Sequence, residues 1–218
     1  MRKLLRIICL IFLLFNILNF TSSSSSTRTA FCGFSLVGGK GGFYSSPQRE
    51  YITKKAVTGD KSGLPEVVRE IKKTLGFNVE IDIYIAKAEN NCFATVGKGG
   101  ARLLIADIDF LESVNNYAGT KWAAISVIAH EVGHHIAGFN HHESQLDDEL
   151  DADYWSGYVL QKLGSSENAA TKCILKFGTE QDTDSHPNKY TRAKTIESGW
   201  GDAKNGTIDY QRCENCKP

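Results

Sequence analysis

The chain has 218 residues, of which 41% are hydrophobic and 10% aromatic, with 25 basic and 25 acidic side chains. That length holds one domain with a substantial core, and the composition excludes a repeat array or a disordered polymer. Residues 1–30 carry four basic and no acidic side chains, so the remainder is mildly acidic at 21 against 25, which argues against nucleic acid as a partner.

At the start of the chain Arg2, Lys3 and Arg6 precede the apolar run Ile7 to Phe15, which continues through Asn16 to Phe20 and gives way to Thr21 and the serines 22–26. A basic start, a short apolar stretch and a small polar region form the layout of a secretory signal peptide. The run is short and broken by Asn16 and Asn19, so removal of residues 1–30 is favoured over anchoring by residues 7–20. The expected address is therefore outside the cytoplasm, secreted or periplasmic, with membrane association only through an uncleaved N-terminal segment. Ala30 suits the end of a signal but Arg28 does not suit its place, which leaves the cleavage site open. Of six cysteines, Cys9 lies in this leader and leaves Cys32, Cys92, Cys173, Cys213 and Cys216. An odd number means at least one thiol unpaired within the chain, and Cys213 with Cys216 reads as a terminal disulfide or as free thiols.

Residues 31–62 form a Gly/Ser-rich entry segment, in which Gly38-Gly39-Lys40-Gly41-Gly42 lacks the spacing and the Lys-Ser/Thr ending of a phosphate loop. The domain proper is expected over residues 63–200, followed by a tail at 201–218. Pro65 opens a helix carried by Val67, Val68, Ile71 and Leu75 and stopped by Gly76. Val79, Ile81, Ile83 and Ile85 then alternate with polar residues as a strand with one buried face. Strands near Cys92 to Val96 and Arg102 to Ala106 flank Gly97-Lys98-Gly99-Gly100, a hairpin turn by composition. Beyond Phe110 the pattern is helical, with segments at Thr120 to Ala137, Gln145 to Leu163, Glu167 to Phe177 and Tyr190 to Glu197. A small sheet followed by a helical half is an α+β arrangement.

The helix from Trp122 contains His130-Glu131-Val132-Gly133-His134. Residues four apart share a helix face, so both imidazoles can reach one ion, and Glu131 lies beside them to take a proton from water. Zinc is the expected ion, one per chain, because it accepts imidazole and carboxylate ligands in a tetrahedron and keeps one position for water. Water bound there ionises near neutral pH and becomes a nucleophile. A chance occurrence on a core helix is the competing reading, but buried imidazole and carboxyl groups need partners. A third ligand must follow. His141 is one residue out of step with the metzincin pattern, and the only methionine is Met1, which excludes that family. Glu149 and Asp153, four apart on the next helix, are the better source: one can bind the ion while the other accepts a hydrogen bond from a ligand histidine. Ala152, Ser156 and Gly157 are expected to let this helix approach the motif helix, itself thin at Ala129 and Gly133.

Together these residues resemble the M48 family of zinc metallopeptidases. The resemblance rests on Asn91-Cys92-Phe93-Ala94 before a glycine turn and strand, His130-Glu131-x-x-His134, Glu149-x-x-Ala152-Asp153, and Ser185-His186-Pro187 followed by Arg192. It covers about residues 65 to 200 in the family's order, and Cys92 departs from it by standing where alanine is usual. The resemblance implies a zincin-like domain with His130, His134 and Glu149 as zinc ligands, Glu131 as general base and Asp153 orienting a histidine ligand. It also implies that His186 faces the site and hydrogen-bonds the oxyanion, and that Arg192 braces that region. The implied activity is endopeptidase action on a peptide or protein substrate, with a strand at Arg102 to Ala106 bordering the cleft, where an extended peptide could add. The rival expectations are a zinc-stabilised binding or quality-control module with little proteolysis, and a nonpeptidase zinc hydrolase.

Overall fold

The computed structural model describes residues 57–58, 62–87, 90–138 and 144–213. The leader, most of the entry segment, His141, His142, Cys32 and Cys216 lie outside these residues. Among the described residues the chain is α+β, with four strands and six α-helices. The strands are β1 (Val57–Thr58), β2 (Asp82–Ala86), β3 (Cys92–Val96) and β4 (Arg102–Asp107). The helices are α1 (Leu64–Leu75), α2 (Ile108–Ala118), α3 (Trp122–Ala137), α4 (Gln145–Lys162), α5 (Glu167–Phe177) and α6 (Lys189–Asn205).

Helix α1 starts at Leu64 with Pro65 in its first turn and stops at Gly76, whose φ of 65° lets its amide and that of Phe77 turn back onto Lys72 and Lys73. It buries Leu64, Val68 and Ile71. The alternating stretch that follows pairs only from Asp82; Val79 is exposed, and Ile83 and Ile85 are half-buried against the main core. Strands β3 and β4 make the expected hairpin, Cys92 opposite Ala106 and Val96 opposite Arg102, closed by a short 3-10 turn over Lys98–Gly100.

The sheet order is β1-β2-β4-β3, with β2 parallel and β3 antiparallel to β4. This corrects one expectation from the sequence. Strand β4 is paired on both sides and cannot accept another strand; among the described residues the edge strands are β1 and β3, and β3 is the one beside β4. Asp107 donates its amide to the Asn91 carbonyl and Gly97 donates to Ala101, so the antiparallel alternation turns the peptide groups of Cys92, Ala94 and Val96 outward.

No gap separates sheet from helices. Asp107 ends β4 and caps α2, its carboxylate accepting from the amides of Asp109 and Phe110, so a helix begins where the sequence pattern gave no break. The core runs from α1 and β4 through α2 and α3 to the far side of α4, α5 and α6, with Ile71, Leu104, Val114, Val127, Val132, Val159 and Leu160 fully or almost fully buried. Glycine contacts set the helix spacing. A Cβ on Gly133 of α3 would stand 2.8 Å from the Ala152 carbonyl oxygen of α4, and one on Gly157 would stand 1.9 Å from the Ile196 carbonyl oxygen of α6. Gly157 thus serves the α4–α6 packing rather than the approach to α3, which falls to Ala152 and to Ser156, whose hydroxyl donates to the Ser126 carbonyl across 3.0 Å.

Residues 201–213 of the expected tail pack on the domain. Helix α6 continues to Asn205, and Trp155 donates its indole N–H to the Arg212 carbonyl at 2.6 Å. Arg212 pairs with the buried Asp151 at 2.8 Å, and Cys213 is buried and disulfide-bonded. Cys92 and Cys173 are buried. No helix among the described residues is long and apolar enough to cross a membrane.

Candidate metal centre

Helices α3 and α4 bring together His130, His134 and Glu149, each at most 2% exposed. One ligand atom from each lies within 4.8 Å of the others. The His130 and His134 rings stand edge to face with centroids 4.7 Å apart, as residues one turn apart on one face should. The His130 Nε2 lies 3.4 Å from Glu149 Oε2, and the His134 Nε2 lies 3.6 Å from Oε1. Neither oxygen of this fully buried carboxylate makes a hydrogen bond among the described residues. An ion with ligand bonds near 2.0 Å and tetrahedral angles holds its ligand atoms about 3.3 Å apart, so the spacing suits ligands of a common ion better than it suits hydrogen bonds. The cluster can hold a metal ion.

The electrostatics point the same way. Burial lowers His134 to about 3, which leaves its imidazole neutral with a lone pair to offer. Burial opposes ionisation of Glu149, yet the facing imidazoles of His186, His130 and His134 outweigh it and hold the carboxyl below its usual range. A neutral imidazole at His134 beside a charged carboxylate at Glu149 suits the binding of a divalent cation.

Around the cluster lies a buried ring. Asp153, one turn beyond Glu149 on α4, meets the His130 Nδ1 at 2.8 Å, which turns the Nε2 toward Glu149. Arg192 of α6 donates to both oxygens of Asp153, from Nε at 2.7 Å and from Nη2 at 2.9 Å. The same Nη2 is 3.7 Å from Glu149 Oε2. Asp153 stays ionised below its ordinary range because the Arg192 charge and the His130 contacts overcome its burial. The orienting role expected for Asp153 and the bracing role expected for Arg192 thus have one geometry: the arginine holds the carboxylate that holds the histidine.

Glu131 points from α3 to the edge of the sheet. Its Oε2 accepts the outward amide of Ala94 in β3 at 2.7 Å, while its buried Oε1 makes no hydrogen bond among the described residues. Burial, partly countered by His130, pushes Glu131 up to about 8. Such a carboxyl can both take and release a proton near neutral pH. His186, in the turn before α6, directs its Nε2 to within 3.7 Å of Glu149 Oε2, so the segment leading into α6 also reaches the cluster. Every site residue expected from the sequence, His130, Glu131, His134, Glu149, Asp153, His186 and Arg192, falls in this one region. Ala94 was missed as a partner of Glu131, because only the sheet order shows that its amide faces outward.

Comparison of the chain with protein-family models, curated proteins and solved structures finds no match.

Proposed function

We propose that the chain is an exported zinc-dependent endopeptidase of zincin-like architecture, similar to the M48 family. The observation that carries the reading is the pairing of a three-ligand cluster with the adjacent Glu131, anchored by one oxygen and open at the other. The donor set of two imidazole nitrogens and one carboxylate oxygen suits zinc and leaves a fourth position for water or substrate. A zinc ion held by His130, His134 and Glu149 would supply Lewis acidity and ease the ionisation of water.

The chain's own groups account for the rest. Glu131 takes the proton of the attacking water at Oε1 and returns it to the leaving amine. An extended peptide can pair with the outer edge of β3, where the Ala94 carbonyl and the amide and carbonyl of Val96 face away from β4, the Ala94 amide being held by Glu131. Arg192 and Asp153 keep His130 in register, and His186 lies at hand to stabilise developing charge. Export is supported by the leader pattern and by the disulfide at Cys213, a bond that persists in oxidising compartments.

The test is zinc analysis of the purified chain together with cleavage of casein or a peptide library. Bound zinc near one per chain, cleavage abolished by a chelator, and a Glu131→Gln variant that keeps zinc but loses cleavage are the expected results. A Glu131→Gln protein that cleaves at the normal rate refutes the mechanism, and zinc-loaded protein that cleaves nothing supports the binding-module reading instead.

A further inference from the structure

The turn that carries His186 contains a closed set of hydroxyl bonds. Thr183 Oγ1 accepts the His186 amide at 2.9 Å and the Ser185 amide at 3.4 Å, and the Thr183 amide donates to the His186 carbonyl at 2.8 Å. The Thr183 hydroxyl lies 3.2 Å from the His186 carbonyl oxygen and 3.3 Å from Ser185 Oγ. Ser185, itself buried, places its Oγ 2.7 Å from His186 Nδ1.

A hydroxyl oxygen has two lone pairs and one proton. Both lone pairs of Thr183 Oγ1 are taken by backbone amides, so this oxygen cannot accept the Ser185 proton. Among the described residues the acceptor left to that proton is His186 Nδ1. Had Nδ1 carried a proton of its own, in the other neutral tautomer or in imidazolium, the Ser185 hydroxyl would be buried with a proton and no acceptor, a state that folded proteins avoid.

We infer that Ser185, seated by Thr183, fixes His186 with its proton on Nε2, so that His186 presents a hydrogen-bond donor to the metal centre and not a fourth ligand. A ligand needs the Nε2 lone pair, which this tautomer lacks. A zinc ion held by His130, His134 and Glu149 would thereby keep a position for water or substrate, and the His186 N–H would be available to stabilise negative charge that develops during acyl transfer. Ser185 and Thr183 are positioning residues. The tautomer stands on the hydrogen bonds alone, whereas its use in catalysis rests on the peptidase reading.

The first measurement is nitrogen NMR of the full chain with isotope-labelled histidine, loaded with zinc. The expected spectrum gives His186 a protonated Nε2 and an unprotonated, hydrogen-bonded Nδ1; a proton on Nδ1, or zinc on Nε2, overturns the inference. In cleavage assays Ser185→Ala, which releases the ring to either tautomer, is expected to lower kcat about tenfold with KM and zinc content unchanged, and Ser185→Thr to restore it. Full kcat in Ser185→Ala overturns the positioning role. Should the wild-type chain cleave nothing, the peptidase reading fails on that result, while the nitrogen spectrum of the wild-type protein still decides the tautomer.

Discussion

Asp153→Asn changes one atom type in the buried ring and tests whether that ring is electrostatic or merely space-filling. The carboxylate receives three bonds, two from Arg192 at 2.7 and 2.9 Å and one from His130 at 2.8 Å. An asparagine keeps one oxygen and sets an NH2 against a donor, and Arg192, 4% exposed, is left with a charge that Asp153 no longer neutralises. Stranding one member of a buried pair costs about 3–5 kcal/mol; Glu149, whose Oε2 lies 3.7 Å from Arg192 Nη2, offsets part of that, which places the expected loss near 3 kcal/mol. At this chain length that lowers Tm by roughly 6–12 °C. Zinc affinity should fall roughly 10–100-fold, because His130 loses its orienting acceptor and Arg192 competes for Glu149. Urea unfolding of chelated protein measures the first effect and chelator competition the second. The double variant Asp153→Leu with Arg192→Leu should recover at least about half of the stability and none of the zinc affinity. An Asp153→Asn protein within about 0.5 kcal/mol of wild type and with unchanged zinc affinity would refute the assignment.

The helix contacts predict a contrast between two glycines. Gly157→Ala drives a Cβ to 1.9 Å from the Ile196 carbonyl, which no small shift relieves, so it should cost more than about 3 kcal/mol and deplete soluble protein. Gly133→Ala meets Ala152 at 2.8 Å and should cost only about 1–2 kcal/mol after the gain in helix propensity, yet weaken zinc binding, as thermal unfolding with and without zinc will show. Burial lowers His135 to about 3, so between pH 6.5 and 3 the unfolded chain binds a proton there that the folded chain does not. Stability from this group is complete above pH 6.5 and falls by about 1.4 kcal/mol per pH unit below it; His135→Gln, assayed by urea unfolding in chelator, should flatten the slope by about one proton. Arg212→Ala leaves the Asp151 carboxylate, 2% exposed, without its guanidinium and should cost about 2 kcal/mol by the same assay.

Much of the fold could be read locally because local features decide it. The hairpin follows from two β-rich runs about a glycine turn, and α1 from Pro65 and Gly76. Helix α2 escaped notice as a separate element because Asp107 is both the last residue of β4 and the cap of the helix, leaving no turn residues to mark the change. Helix α6 runs past Glu197 to Asn205 through two glycines, and Gly199 packs on Tyr154, where a Cβ would stand 2.0 Å from the carbonyl oxygen. The site divides the same way. His130, Glu131 and His134 are legible as one turn of helix, and Glu149 and Asp153 as a second, but which of the last two faces the ion depends on the rotation of α4. That rotation is set by Gly133, Ala152 and Ser156 on one side and by Gly157 on the other.

Helix α4 shows why the remainder resists sequence reading. Nearly every residue from Asp148 to Leu160 is buried, although five of the thirteen are polar or charged, so its pattern carries little amphipathic signal. Each polar group answers to a different neighbour. Asp151 meets Arg212, and Asp153 meets His130 and Arg192. Ser156 bonds α3, while Tyr154 donates to Asp202 of α6 and accepts the Asp209 amide at 2.8 Å each. A helix enclosed on all sides cannot follow the usual rule of one oily and one wet face; its orientation is fixed by where it finds hydrogen-bond partners. Those partners come from α3, from α6 and from the last described residues of the chain, and only when all three are in place does Glu149 face the two histidines. The metal cluster is therefore a property of the assembled helical half and not of the five-residue motif that announces it.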